Sequence, residues 1–227
     1  MDSLKGIIED LRVFIYGGMR TLPLTIAGTS IILGLFSANY AIIFFLFGYL
    51  ILVPIISTIL QYFIFDYFEL FKSVSKQGGE VCNVVIPYST LKNSSPKDSQ
   101  LTFISPSWAM ISFFLGYILT NAIKLNQMPA GMGSDVKVKA RKSHTILSIC
   151  VILAFFIIAA HFRYTSNCES GWGLGVGAIL FGLIGWGWYE TLSGMNGGRL
   201  SDVFGIANRI IAPSATPSEK MACIPTT

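Results

Sequence analysis

Five apolar stretches of near-spanning length, within only 227 residues, constrain this chain more than any other feature of its sequence. Each approaches the ~17–25 residues that a helix needs to cross the ~30 Å hydrocarbon core of a bilayer. Backbone polar groups in lipid must be paired within their own segment, so repeated stretches of this kind predict a helical bundle. The predicted spans are Thr21–Ser37, Tyr40–Phe63, Trp108–Leu125, Thr145–Phe162 and Gly173–Tyr189.

The composition agrees with an integral membrane protein. Hydrophobic residues make up 52% of the chain and charged residues 12%, with a mean hydropathy of +0.62, whereas a soluble domain carries about 25% charged residues. The net charge of +4 is modest and gives no support for nucleic-acid binding. The predicted fold class is an all-α integral membrane protein with about five transmembrane helices, interfacial amphipathic helices and one extended hydrophilic loop.

The segment before the first span has the pattern of an amphipathic helix. Between Ser3 and Tyr16, apolar residues recur at helical spacing while charged residues fall on the other side. This pattern is typical of a helix that lies in the membrane interface, and a helix that packs on the protein's own loops is the alternative. Gly17-Gly18 is predicted to end the helix and to let the chain turn into the bilayer.

The connections between the spans complete the predicted organisation. Only Ala38-Asn39 separates the first two spans, which predicts a tight helical hairpin. Pro54 lacks a backbone donor and is expected to kink the second span. The predicted parts are an interfacial amphipathic helix at 1–20, a transmembrane hairpin at 21–63, a hydrophilic loop at 64–106, three transmembrane helices at 107–190, and a surface helix (Asp202–Ile211) with an extended tail within 191–227.

The fifth span is rich in glycine. Gly171/Gly175 and Gly173/Gly177 both have the GxxxG spacing, which lets two helices approach closely in lipid. The nucleotide-binding GxGxxG pattern is different, because it requires a strand and a soluble βαβ unit. The glycines therefore predict a packing face, whose partner is either another span of the same chain or a neighbouring molecule.

The four cysteines are Cys82, Cys150, Cys168 and Cys223, too far apart for a CxxC metal or redox motif. A five-span topology places Cys82 and Cys168 on one side of the membrane, where a disulfide would close a long loop. Two free thiols are the alternative, because sequence spacing does not fix a distance in space. Asn93 begins an Asn-Ser-Ser glycosylation acceptor, which functions only if its loop is lumenal.

The densest basic cluster lies in the connection between the third and fourth spans. It consists of Lys137, Lys139, Arg141 and Lys142. It is able to attract anionic lipid or an acidic partner, and a solvated loop that fixes the orientation is the alternative. Basic residues are equally numerous on the two sides of the membrane, so the compactness of this cluster is what favours a cytoplasmic C-terminus.

No catalytic constellation emerges from the sequence. His144 and His161 occupy opposite ends of the fourth span, about 25 Å apart at a rise of ~1.5 Å per residue. Ser193 follows the fifth span in Thr-Leu-Ser-Gly, which lacks the first glycine of the rhomboid-protease GxSG motif. We therefore predict that the protein is not an enzyme, and we assign no catalytic, cofactor-binding or metal-binding residue and no cofactor.

A small pore or channel-like protein, a viroporin or a transporter, is the alternative function. Transporters and channels usually hold ionisable residues inside their spans. Of the residue types Asp, Glu, Lys and Arg, the predicted spans contain only Lys124, whose long side chain is able to reach the headgroups. Pro54 and the glycine face are the features that favour the alternative of a pore built from broken helices.

Two short segments resemble a known class of viral membrane proteins. The first is Arg199-Leu-Ser-Asp-Val-Phe-Gly-Ile-Ala-Asn-Arg209, followed by a Pro/Ser-rich tail with Cys223-Ile224-Pro225. The second is Ser105-Pro-Ser-Trp108 at the start of the third span. Together they resemble multi-pass membrane proteins of large icosahedral double-stranded DNA viruses of the chlorella-virus type.

The resemblance implies a function that the residues alone do not supply. It implies a non-enzymatic minor capsid component in the internal membrane of the virion, or in a host membrane during assembly, that anchors the bilayer to the capsid shell. The implied partners are the lipid bilayer and other capsid or membrane proteins, among them the major capsid protein, and not nucleic acid. A cellular scaffold protein would fit the residues equally well.

Overall fold

Long helices account for nearly all of the structure. The computed structural model describes residues 2–37, 39–65, 76–77, 82, 101–127, 135–195 and 200–203. The α-helices are α1 (Asp2–Ser37), α2 (Tyr40–Phe47), α3 (Val53–Leu60), α4 (Pro106–Gln127), α5 (Asp135–Thr165) and α6 (Gly171–Gly194). Two π-helical segments follow α2 and α3, Gly48–Leu52 and Gln61–Phe65. The short strands β1 (Lys76–Gln77) and β2 (Leu101–Thr102) pair antiparallel.

Within the described ranges, five helical segments are long and apolar enough to cross a bilayer, which confirms the predicted all-α membrane bundle. The helices extend beyond the predicted spans, because helical hydrogen bonding continues into the polar zone outside the hydrocarbon core. The five segments are Gly17–Phe36, Tyr40–Phe63, Pro106–Gln127, Lys142–Thr165 and Gly171–Gly194.

The predicted helix break at Gly17-Gly18 is wrong. Helix α1 continues through both glycines as one element of 36 residues. The Thr21 hydroxyl donates to the Gly17 carbonyl at 3.1 Å, and the Thr25 hydroxyl donates to the Thr21 carbonyl at 3.1 Å. A glycine pair weakens a helix but does not end it unless other partners satisfy the freed backbone groups. The N-terminal segment is therefore continuous with the first span and not a separate helix.

A π-helical segment, Gly48–Leu52, lies just before Pro54 in the second span. The N–H of Val53 donates to the carbonyl of Gly48, five residues earlier. A proline in a regular α-helix clashes with the carbonyl four residues before it, and the wider π turn moves that carbonyl away. Helix α3 then begins at Val53 with Pro54 in its first turn, and the backbone stays helical through Leu52 and Val53.

Helix α4 lies at the centre of the bundle and packs most extensively on α6. At Gly116, a Cβ atom would overlap the backbone carbonyl of Gly182, and at Gly185 it would overlap the carbonyl of Phe113. These glycines let the two backbones touch. Of the two predicted GxxxG faces, Gly173/Gly177 is buried, whereas a Cβ atom at Gly175 would meet open space. The partner of the glycine face is thus another span of the same chain.

Aromatic side chains fill the interior between α2 and α4. Phe45, Tyr49, Phe113 and Tyr117 are fully buried, with ring centroids 5.1–6.5 Å apart. The Tyr49 hydroxyl donates to the Pro23 carbonyl at 3.1 Å and so ties α1 to this core. Buried hydroxyls usually find such a partner. The interior between these helices is therefore occupied by packed side chains.

Two further predictions meet the structure only in part. The basic residues Lys137–Lys142 lie on the first turns of α5, so their predicted position in a loop is wrong. Residues 200–203 form a turn at the start of the predicted surface helix. The remainder of that helix and its tail, Asn93, and most of the hydrophilic loop at 64–106 lie outside the described residues.

Candidate functional site

Two connections meet at one end of the bundle and bring three polar side chains together. Ser105 immediately precedes α4, while Arg163 and Glu169 flank the short connection from α5 to α6. All three residues are buried, with 3%, 2% and 0% of their surfaces exposed, respectively. We call these three residues the Arg163 cluster. The end of the bundle that holds them is called the disulfide end, because the bridge between Cys82 and Cys168 also lies there.

The three side chains of the Arg163 cluster are hydrogen-bonded to one another. The Arg163 guanidinium donates from Nε to Glu169 Oε2 at 2.8 Å and from Nη2 to Glu169 Oε1 at 3.0 Å. Nη2 also donates to Ser105 Oγ at 2.7 Å, and the Ser105 hydroxyl donates to Glu169 Oε1. A buried ion pair is tolerated only with good geometry and added hydrogen bonds of this kind. The arrangement is typical of a structural tie between helices.

Helix termini position each member of the cluster. Arg163 lies in the last turn of α5, and Glu169 precedes Ser170, the N-cap of α6, so each charge has the sign that its helix dipole favours. The Ser105 hydroxyl accepts the backbone N–H of Trp108 at 3.1 Å and caps α4. The Ser170 hydroxyl caps α6 by accepting the N–H of Gly173 at 3.1 Å. All three members of the cluster therefore lie at or next to a helix terminus.

A disulfide joins the hydrophilic loop to this end. Cys82 and Cys168 are bonded, with Cα atoms 5.3 Å apart and a sequence separation of 86 residues. Of the two alternatives that the sequence left open, the bridge is therefore the one observed. Both cysteines are buried, and Cys168 is adjacent to Glu169. In the chain-entropy model a loop of this length adds on the order of 4 kcal/mol of stability.

The sharp turn before Cys168 lets α5 end and the chain reverse. Asn167 has a φ of 54°, in the left-handed region that asparagine tolerates better than most residues. The N–H of Cys168 donates to the carbonyl of Arg163 at 3.0 Å and so satisfies one of the last carbonyls of the helix. The turn therefore delivers Cys168 and Glu169 back onto the bundle, beside the residue that Glu169 binds.

The other end of the bundle also carries polar side chains, in a more exposed setting. Lys124 Nζ lies 2.9 Å from Glu190 Oε1, and both side chains are partly exposed. Beside them the Tyr117 hydroxyl donates to the Ser201 carbonyl at 2.9 Å and ties the segment after α6 to α4. We call this the Lys124 end. Ser201 and Val203 are buried there, and the Tyr117 hydroxyl joins the chain after α6 to α4.

The residues considered for chemistry in the sequence are not brought together. His144 and His161 are both exposed on the one continuous helix α5, and Ser193 lies in the last turn of α6. Within the described part of the chain, no group of three His, Cys, Asp or Glu residues is placed to hold a metal ion. The Arg163 cluster thus remains the most elaborate polar arrangement of the described residues.

Sequence reasoning missed the Arg163 cluster, although it contained a usable signal. The connection between α5 and α6 is short, and it holds Arg163, Cys168 and Glu169 close together. An arginine and a glutamate that are close together in a short connection between two helices are able to form an ion pair. Ser105 could not be added from sequence, because nothing local shows that it lies beside a residue 58 positions away.

No protein family, curated protein or solved structure matches the chain. The resemblance of Arg199–Arg209 and Ser105–Trp108 to viral membrane proteins therefore stays a prediction. For the second segment the structure gives a local role of its own, because Ser105 caps α4 and Trp108 Nε1 donates to the Leu174 carbonyl at 3.0 Å. Any function has to be argued from the geometry of the two ends.

Proposed function

We propose that the chain is a non-enzymatic structural protein of a virion, a minor capsid component that anchors the internal membrane to the capsid shell. The observation that carries the proposal is the disulfide end. There the hydrophilic segment between the second and third spans is fastened to the bundle by the Cys82–Cys168 bridge and by residues 103–105. A surface fixed in this way suits a permanent contact with a neighbouring protein.

The described residues of this segment make further contacts besides the disulfide. Phe103 and Ile104 are buried in the main hydrophobic core, with 2% and 3% of their surfaces exposed. Lys76–Gln77 pairs with Leu101–Thr102, which brings the two ends of the segment together. These contacts hold the described residues of the segment against the bundle, which supports a protein-binding surface at the disulfide end.

The packing of the spans supports a structural anchor over the pore. The space between α2 and α4 is filled by the rings of Phe45, Tyr49, Phe113 and Tyr117. A cavity of about 100 Å³ lies between α1, α2 and α4, lined mainly by apolar side chains. Ion pathways are lined by polar groups and water. The aromatic interior instead resembles the core of a rigid bundle.

The proposed partners follow from the two surfaces of such an anchor. The apolar outer faces of the helices contact the lipid bilayer, and the disulfide end contacts other capsid or membrane proteins, with the major capsid protein as the leading candidate. The proposed location is the internal membrane of the virion, or a host membrane during assembly. The resemblance of Arg199–Arg209 to viral membrane proteins adds support from the sequence.

Purified particles provide the test. The protein should copurify with particles, resist release by high salt, and be released by detergent. Substitution of both Cys82 and Cys168 by serine should leave membrane insertion intact and lower retention in particles, whereas Cys150→Ser, which removes an exposed free cysteine, should change neither. Absence of the protein from purified particles would rule out the viral function, and selective ion flux in liposomes would favour the pore.

A further inference from the structure

Helix α5 carries chemically different features at its two ends. Its last turn holds Arg163 at the disulfide end, and its first turns hold the four basic residues of the segment 137–142. Lys139 precedes Arg163 by 24 residues on this continuous helix, which is roughly 36 Å at ~1.5 Å per residue. That length exceeds the ~30 Å hydrocarbon core. The basic segment therefore lies at the headgroup level of the leaflet opposite the disulfide.

The charge of the basic segment is not balanced by its own helix. Four of its six positions are Lys or Arg, and Asp135 is the one acidic residue in the first two turns of α5. Cations near a helix N-terminus are disfavoured by the helix dipole, while an anion bound there is favoured. Glu190, an acidic residue at the same end, is already paired with Lys124. The helix dipole and the surplus of cations both favour an external anion.

We propose that the basic segment binds anionic phospholipid headgroups in the leaflet that faces away from the disulfide. Lys142 is exposed and is the first residue of the apolar segment Lys142–Thr165, so the segment meets the bilayer where phosphates lie. Basic residues beside a span attract anionic lipids, which are concentrated in the cytoplasmic leaflet.

The disulfide supports the same orientation independently. Disulfides form and persist on the oxidising side of a membrane, which assigns the end with Cys82 and Cys168 to that side. The basic segment then faces the reducing, cytoplasmic side, as the positive-inside rule expects. An acidic protein is the other candidate partner. The lipid is favoured because the segment begins directly at the apolar span, where every membrane supplies headgroups.

Lipid selectivity of the full chain tests the proposal. The protein is reconstituted in phosphatidylcholine vesicles with trace spin-labelled phosphatidylserine or phosphatidylcholine, and the motionally restricted lipid is measured by electron paramagnetic resonance. We expect a preference for phosphatidylserine of about fivefold, the effect of one fully effective cation. The preference should fall as salt is raised, because screening weakens exposed charges.

Two variants with equal changes of charge identify the segment responsible. Substitution of Lys137, Lys139, Arg141 and Lys142 by glutamine should abolish the preference. The matched control replaces four lysines of the hydrophilic loop by glutamine and should retain it: Lys72, Lys76, Lys92 and Lys97. Equal affinity of the unmodified protein for both lipids would overturn the proposal and leave an acidic protein as the partner. Equal losses in the two variants would overturn it as well, by showing a general effect of net charge.

Discussion

Among the described residues, an ion pair is found at each end of the bundle, and these two pairs differ chiefly in burial. At the disulfide end, the side chains of Arg163 and Glu169 are 3% and 0% exposed, whereas those of Lys124 and Glu190 are 44% and 36% exposed. Their shortest N–O distances, 2.8 and 2.9 Å, are nearly the same. Distance alone therefore does not rank the two pairs. Burial makes the first costly to break and leaves the second with little effect on stability.

The surroundings of the two pairs strengthen the contrast. At the disulfide end, the Cys82–Cys168 bridge, the Ser170 cap and the Ser105 hydroxyl all act on the short connection between α5 and α6. At the Lys124 end, the Tyr117 hydroxyl donates to the Ser201 carbonyl, and Val203 is buried in the core. The disulfide end is thus held by a covalent bridge and a buried ion pair, and the Lys124 end by non-covalent contacts beside an exposed pair. Substitutions that weaken both ends equally would contradict this picture.

The largest effect is expected from Glu169→Gln. The new amide would turn donor N–H groups toward the Arg163 guanidinium and leave a buried charge without its partner, at a cost of about 3–5 kcal/mol. Unfolding in detergent, followed by circular dichroism, measures the loss. The matched control Glu190→Gln should change stability little, because that pair is partly exposed.

A double variant separates the charge from the packing. Arg163→Met combined with Glu169→Leu removes both charges, and it should recover most of the stability lost in Glu169→Gln because buried pairs can be replaced by apolar residues at little cost. If Glu169→Gln and Glu190→Gln lower stability equally, burial is not what distinguishes the two ends.

Loss of the disulfide should rank second. Substitution of both Cys82 and Cys168 by serine is expected to lower the free energy of unfolding by about 2–4 kcal/mol, because the loop is no longer closed in the unfolded chain. The same measurement after reduction of the unmodified protein should give a similar loss. Stability that does not respond to reduction would show that the Arg163 cluster and residues 103–105 fasten this end without the bridge.

The third effect concerns the Lys124 end. Tyr117→Phe keeps the buried ring and removes the hydroxyl that donates to the Ser201 carbonyl at 2.9 Å. We expect a loss of about 0.5–1.5 kcal/mol, the net contribution of one hydrogen bond. Faster amide hydrogen exchange should be confined to residues near Ser201. Exchange that rises throughout α4 would mean that the hydroxyl stabilises the whole bundle.

The sequence predicted the features that arise from local windows. The five spans follow from length and hydropathy, and both are properties of short segments. The glycine face was predicted, but the choice of Gly173/Gly177 over Gly171/Gly175 was not, because it depends on where α4 lies. The break at Gly17-Gly18 was wrong because a glycine pair permits a turn without requiring one.

The candidate site was harder to predict, for a physical reason. The Cys82–Cys168 bridge was one of two alternatives, since topology places both cysteines on one side but does not set their distance. Ser105 meets Arg163 across 58 residues of sequence, through the packing of α4 against the end of α5. Contacts of this kind are set by tertiary structure. They carry no periodicity or spacing that a sequence pattern could reveal.

The smallest effect is expected from Lys124→Met, which removes one partner of the exposed pair. Methionine is an apolar side chain that replaces the methylenes of Lys124, and Glu190 remains partly exposed to solvent. An exposed carboxylate that loses its partner is hydrated by water instead. Stability should therefore change less than in Tyr117→Phe, and raising the salt concentration should shrink any difference between the variant and the unmodified protein, because salt screens an exposed pair. A loss as large as that of Glu169→Gln would show that the Lys124 end is shielded from solvent in the membrane, and it would remove the contrast between the two ends.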